Sequence, residues 1–319
     1  MTLTQLQYVV AVDQKRNFGL AAQACFVSQP TLSMQIQKLE DDLGVSLFDR
    51  SKKPVEPTDI GRKVVAQAKV VLQEALRIEE LIKSERGEIR GDFFLGIIPT
   101  LAPYLLPLFL EKFIKKYPLV NLIIEELQTQ QIINRLNDDQ LDAGLLVTPL
   151  NVPGIIEKPL FRDPFLVYLS PKHPLLSKSK VTHQDLSLED VWLLNEGHCF
   201  REQAIEICGR VKSKNSGKKN LTFESGNLET LKRLVDQKFG YTLLPSLAIL
   251  GMSATEKKKK VRYFKAPIPT REVSLVYSRS FLKKSIIDAL HNAISCSIPT
   301  ELTKAKAHEQ VIGVSSIKG

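Results

Sequence analysis

Long apolar runs are missing from the 319-residue sequence: no stretch approaches the about 20 consecutive apolar residues that a bilayer-spanning helix needs. The opening residues, MTLTQLQYVVAVDQKRNFG, lack the charged n-region, apolar h-region and small-residue cleavage site of a signal peptide. The chain is therefore expected in the cytoplasm. Cysteine is sparse, with four in the chain. That excludes a structural disulfide framework, because a reducing cytosol keeps thiols free. Any disulfide here has to be conditional. There is no Gly-rich phosphate loop, no HExxH and no nucleophile-elbow GxSxG. His173, His183, His291 and His308 are scattered, and only His198 adjoins a thiol. No metal site, cofactor or enzyme constellation is expected.

A basic excess is also absent from the first part of the chain. The formal net charge is +9, which invites a nucleic-acid reading. Over residues 1–57, however, Lys15, Arg16, Lys38, Arg50, Lys52 and Lys53 are cancelled by Asp13, Glu40, Asp41, Asp42, Asp49 and Glu56. Residues 58–92 also cancel, so the excess lies in 93–319, much of it in KSKNSGKK (212–219) and KKKK (257–260). These runs read as solvated loops, and the overall charge says little about DNA.

What is present at the N-terminus is a pattern. In 18-FGLAAQACFVSQPTLSMQIQKLEDDLGVSLFDR-50, an alanine-rich segment is followed by a break and by Ser28, a natural N-cap with Pro30 in the first turn. Leu32, Ile36, Leu39 and Leu43 then recur at helical spacing and define a buried face, and Gly44 ends the helix. Ser28, Gln29, Pro30, Thr31, Ser33 and Gln37 fall at the start or on the opposite face, where short polar and amide side chains can reach base edges in a major groove. An ordinary amphipathic helix has the same periodicity. LFDRSKKPVEPTDIG (47–61) has the extended, Pro-containing character of a small wing, with Arg50, Lys52 and Lys53 available for phosphates. From Thr58 onward, Val64, Ala68, Val71, Ala75, Ile78 and Ile82 form a heptad seam, which predicts pairing with a second helix and hence a homodimer. A single helix packed on its own domain is the alternative.

On these residues, 1–90 resemble the winged helix-turn-helix and linker helix of LysR-type transcriptional regulators. Gly19 and Leu20 stand where relatives often carry basic residues and Gln37 where Arg is frequent, so phosphate affinity is expected to be modest. The resemblance implies a winged helix-turn-helix over 1–58, a dimerisation helix over 59–89, and binding to double-stranded DNA as a homodimer or homotetramer.

ERGEIRGD (85–92) reads as a hinge. Beyond it, strand candidates at 93–99, 119–127, 143–147, 165–170, 191–196, 222–225, 240–245 and 274–278 alternate with helical stretches near 103–117, 129–137, Cys199, 228–237 and the end. Such alternation argues for α/β layers with mostly parallel strands in two lobes. Ligands in such folds sit at the carboxyl ends of strands between lobes. The resemblance implies the same: a two-lobed, periplasmic-binding-protein-like α/β effector domain over 90–300, followed by a disordered tail over 301–319.

One segment carries chemistry: 195-NEGHCFREQAIEICGR-210. On a helix, a rise of about 1.5 Å per residue puts the α-carbons of Cys199 and Cys208 roughly 13 Å apart, beyond the ~7 Å limit for a disulfide. Cys199 falls in or just before the first helical turn, where free N–H groups and the helix dipole favour a thiolate. His198 and Arg201 offer positive charge, opposed by Glu196 and Glu202, so a lowered thiol pKa is expected. Cys208 shares a helical stripe with Arg201, Ala204 and Ile205, beside Ile207, and reads as a small buried hydrophobe. Two readings stand: inert buried thiols, or a pair that meets only when the helix unravels after peroxide converts an activated thiol to sulfenic acid.

GHCFREQAIEIC (197–208), IPTLAPYLLP (98–107), ELQTQQ (126–131), NLETL (227–231) and GYTLLP (240–245) resemble the peroxide-sensing regulators within the LysR family, over roughly residues 1–295. The resemblance implies that Cys199 is the peroxidatic thiol and Cys208 the resolving one. It also implies that Thr100 and Thr129 hold peroxide beside His198, with Arg201 supporting the thiolate. Oxidised contact with RNA polymerase and resetting by thiol reductants of the glutaredoxin or thioredoxin type are implied too. Cys25 and Cys296 fall outside the pair. One departure is the long basic loop 211–227, which flanks the switching segment. Competing expectations are a family member that binds a small anionic metabolite between its lobes, and a thiol peroxidase.

Overall fold

The computed structural model describes residues 1–85, 89–188, 190–209, 225–237, 240–278, 283–303 and 308–313. The basic run 212–219 and most of the strand candidate 222–225 lie outside the described residues. Residues up to 85 and residues from 89 onward belong to different compact units.

In the first unit, α1 (Leu3–Lys15), α2 (Phe18–Ala24) and α3 (Gln29–Leu43) precede a two-stranded hairpin, β1 (Phe48–Asp49) and β2 (Glu56–Pro57), and α4 (Asp59–Glu85). Each of the first three helices starts where a side chain captures an orphan N–H: Thr2 caps α1, Asn17 caps α2 and Ser28 caps α3. Gly44 closes α3 at φ +68°, a left-handed conformation that suits glycine. Leu6, Val9, Val12, Ala21, Leu32, Ile36, Leu39 and Leu47 form the core with Val65 and Ala68 of α4. At roughly 1.5–3 kcal/mol for each fully buried large aliphatic side chain, this cluster outweighs any capping contribution.

The second unit is a mixed α/β structure. Its first lobe contains β3 (Gly91–Ile97), α5 (Ala102–Lys116), β4 (Val120–Glu126), α6 (Thr129–Asn137) and β5 (Ala143–Thr148). A 15-residue strand, β6 (Ile155–Leu169), then leads into the second lobe. There follow β7 (Lys180–Val181), β8 (Val191–Trp192), α7 (Cys199–Cys208), α8 (Leu228–Asp236), β9 (Tyr241–Pro245), α9 (Ala254–Lys260) and β10 (Val261–Phe264). The chain returns through β11 (Ile268–Ser278) to α10 (Lys284–Ser295), α11 (Thr300–Thr303) and β12 (Glu309–Val311). No helix among the described residues is long and apolar enough to cross a membrane.

The expectation of mostly parallel strands does not hold. β3 runs parallel to β4 and β5, and β8 to β9, but β6 and β11 run antiparallel to each other and to β5, β9 and β10 where they meet them. The cause is the double crossing: β6 pairs with β11 through Ile155–Pro164 and with β9 through Phe165–Leu169, so one strand serves both lobes. The 165–170 candidate is therefore the end of a much longer strand, while the 191–196 candidate shrinks to two residues.

Two further expectations are corrected. KKKK (257–260) is the end of α9, whose capping box pairs Ser253 with Glu256, and lysines suit the negative end of the helix dipole. The tail is ordered over 308–313: β12 pairs in parallel with β11, and Ile312 is buried. The polarity of this segment conceals the backbone ladder that it completes with β11.

Candidate redox site and nucleic-acid face

Residues Gly197 to Gly209 build the candidate redox site. Gly197 has φ +88°, a left-handed conformation that favours glycine, and the amide end of the Gln128 side chain lies over its α-carbon. The turn delivers His198 as N-cap and Cys199 as the first residue of α7. Phe200, Ala204, Ile207 and Cys208 enter the apolar core of the second lobe and fix the helix rotation. Cys199 and Cys208 are free, buried, and at opposite ends of one intact helix. The roughly 13 Å expected from helical rise thus applies.

Around Cys199 the structure gathers Thr129 and Arg271. The Thr129 hydroxyl, at the start of α6, bonds the thiol in the sense that favours a thiolate. Arg271 is fully buried. Its Nε and Nη2 donate to Asp163 Oδ2 at 3.2 and 2.9 Å, and its Nη1 donates to Thr100 Oγ1 at 3.0 Å. Asp163 also accepts from Ser246 Oγ at 2.7 Å and Leu247 N–H at 3.2 Å. Every oxygen of this buried ion pair is thereby satisfied, which a charge in a core requires. The Arg271 guanidinium lies 5.5 Å from the Phe200 ring, next to Cys199.

The expected lowering of the Cys199 pKa is not what the structure gives. Burial pushes the thiol up, and the Thr129 hydroxyl, Arg271 and the Phe200 N–H pull against it. His198 supplies no positive charge, because burial holds its imidazole below the usual value and neutral. Arg201 turns instead to Leu194 O, which it contacts at 2.9 Å. Among the described residues the cation that acts on Cys199 is Arg271, which sequence reasoning missed. Thr100, Thr129 and His198 are buried.

Cys208 has a different setting. Its Sγ lies 3.5 Å from Tyr241 Oη, and burial pushes its thiol up to about 11. The flank of α7 is tied by Gln203, fully buried, whose Nε2 donates to Ile312 O at 2.7 Å.

On the nucleic-acid face, Ser28, Gln29, Pro30, Thr31 and Gln37 are exposed, while Ser33 is half-buried. Arg50 is committed within the domain: it donates to Glu40 at 2.8 Å and Ser33 at 3.3 Å and lies 5.0 Å from the Phe18 ring. Glu40 in turn accepts the N–H groups of Leu47 and Phe48. Arg50 thus braces the wing against α3. Lys52 bonds Glu56 at 2.6 Å, and Lys53 is exposed. The seam divides. Ala68 is buried and Val64 and Val71 pack on the first unit's own core, which favours the single-helix alternative for that half. Ala75 is half-buried, Ile78 is 63% exposed, and the Ile82 side chain lies outside the described residues.

Residues 86–295 match the LysR substrate binding domain, and residues 3–62 match the lysR-family bacterial regulatory helix-turn-helix. The chain belongs to the LysR family. Among its relatives, the hydrogen peroxide-inducible genes activator of Haemophilus influenzae is 33% identical over 96% of this chain and 100% of that protein. The DNA-binding transcriptional dual regulator OxyR of Escherichia coli is 35% identical over 92% of this chain and 95% of its own length. Among solved structures, a full-length OxyR cysteine-to-aspartate variant from Pseudomonas aeruginosa is 35% identical and superposes with a TM-score of 0.76, covering 96% of this chain and 99% of that one. The family assignment accounts for the helix-turn-helix and the two-lobed unit alike.

Proposed function

We propose that this LysR-family chain is an OxyR-type regulator: it binds double-stranded DNA, senses hydrogen peroxide through a reversible Cys199 to Cys208 disulfide, and controls oxidative-stress genes. The observation that carries the reading is the placement of two free, buried thiols at the two ends of α7, the first beside Thr129 and Arg271. Peroxide oxidises Cys199 to sulfenic acid, and Cys208 displaces water from it to form the disulfide. Bridging roughly 13 Å requires α7 to unwind, so the bond reshapes the second lobe. Thiol reductants of the glutaredoxin or thioredoxin type return it to the form described here. Thr100, Thr129 and His198 line the place where peroxide meets the sulfur.

In this reading, Ser28, Gln29, Pro30, Thr31, Ser33 and Gln37 face base edges, Lys52 and Lys53 face phosphates, and a homodimer or homotetramer presents α3 to two half-sites. RNA polymerase is the partner of the oxidised form, and the cytoplasm is the compartment. Relatives named as transcriptional regulators support a regulator over a peroxidase. A regulator consumes about one peroxide per switching event. The test is footprinting of Cys199→Ser on promoter DNA. The variant is expected to bind as the reduced wild type does and to lose the peroxide-dependent change of footprint; a retained change contradicts the reading.

A further inference from the structure

Cys208 is held by a hydroxyl whose every bonding site is used. Tyr241 Oη donates its one proton to Ser187 O at 2.7 Å and accepts the Ser187 N–H at 3.1 Å. A phenol has one donor and two acceptor positions, so a lone pair is what it offers Cys208 Sγ at 3.5 Å. Cys208 is therefore the donor of that bond and is kept as S–H. Tyr241 has no freedom to follow the sulfur. It is 1% exposed in β9, its N–H donates to Asp190 O at 3.1 Å, and its ring meets His173 edge-on at 5.7 Å. His173 is itself 3.0 Å from Asp190 Oδ2. At Gly240, a β-carbon would fall 1.9 Å from Asp190 O, which shows how closely this loop is fitted to the start of β9.

We propose that Tyr241 is a positioning residue that latches Cys208 as a protonated thiol and so sets the rate of disulfide formation, leaving the oxidation of Cys199 untouched. The inference rests on the reading of Cys208 as the resolving thiol. In the first step the Cys199 thiolate attacks peroxide: an S–O bond forms, the O–O bond breaks, and hydroxide leaves to become water on gaining a proton. Cys199 loses two electrons and peroxide gains them. In the second step Cys208 sulfur attacks Cys199 sulfur: an S–S bond forms, the S–O bond breaks, and the departing hydroxide takes up the Cys208 proton as water. Only this second step requires Cys208 to leave Tyr241, and α7 cannot unwind from its C-terminal end until it does.

Reduced full-length protein, wild type and Tyr241→Phe, is mixed with stoichiometric hydrogen peroxide and quenched at intervals. Cys199 sulfenic acid is trapped with dimedone, and the Cys199–Cys208 peptide is counted by mass spectrometry. Cys199 is expected to oxidise at the same rate in both, and the disulfide to form about two- to tenfold faster in Tyr241→Phe, the span of the one bond to Cys208, the two bonds to Ser187 being lost with it. Equal disulfide rates overturn the inference alone. So does an equal acceleration in Leu231→Ala, a truncation in the same core, which would make general loosening the cause. Absence of disulfide in both proteins defeats the functional reading and the inference with it. The latch is also read in the wild-type chain, whether or not Tyr241→Phe folds. The Raman S–H stretch that disappears in Cys208→Ala is expected at the lowered frequency of a hydrogen-bonded donor, and the frequency of a free thiol overturns the proposal.

Discussion

The Cys208 proton links burial to stability. Burial raises this thiol from an ordinary 9.0 to about 11, so in that window the unfolded chain has lost a proton that the folded one keeps. The folded state then binds more protons, and stability falls as pH rises. Below 9.0 the contribution is fully present; by about 11 it is gone. Two pKa units correspond to about 2–3 kcal/mol. Urea midpoints measured across this window are expected to drop more steeply for the wild type than for Cys208→Ala, and parallel slopes would contradict the assignment. The residues legible in the sequence were those with a local signature: two cysteines in a strand-to-helix segment, and threonines within matched motifs. Arg271 was not legible, because it reaches Thr100 across 171 residues through the return of β11. Tyr241 meets Cys208 across 33 residues, and nothing near either one announces the contact.

The helix that joins the two thiols, α7, is held from outside its own sequence. Its buried Gln203 donates to Ile312 O, just beyond β12, while the neighbouring Glu309 pairs with Arg162 at 3.6 Å. Deleting residues 308–319 removes the acceptor, and a buried donor left without a partner costs about 1–3 kcal/mol. Amide hydrogen exchange in α7 is expected to quicken on this deletion and to change little in α5. Unchanged protection of α7 would show that the strand does not brace it. Most helices and strands could be read from periodicity because their apolar faces are continuous. The first half of β6 could not, since Pro159 and Pro164 break the pattern of a strand that is stabilised by pairing with β11. The order of the tail escaped for the same reason: a parallel partner ladder is a tertiary fact.

For the whole molecule, residues 1–57 carry as many acidic as basic side chains, so net charge alone does not draw this unit to DNA. With Arg50 bonded to Glu40 and Ser33, few phosphate contacts remain per copy, which makes two linked copies the natural binding unit. The exposed part of the seam is then the place to break that unit. Ile78→Asp on α4 is expected to shift sedimentation toward the monomer and to weaken binding to promoter DNA, with the Cys199 reaction unchanged. An unaltered oligomer would move the interface elsewhere. The central claim is tested most directly by peptide mass spectrometry of the reduced wild-type chain after brief treatment with one equivalent of hydrogen peroxide. The account predicts a peptide linking Cys199 to Cys208 that disappears on treatment with a thiol reductant. Cys199 oxidised without that link, or linked instead to Cys25 or Cys296, would contradict it.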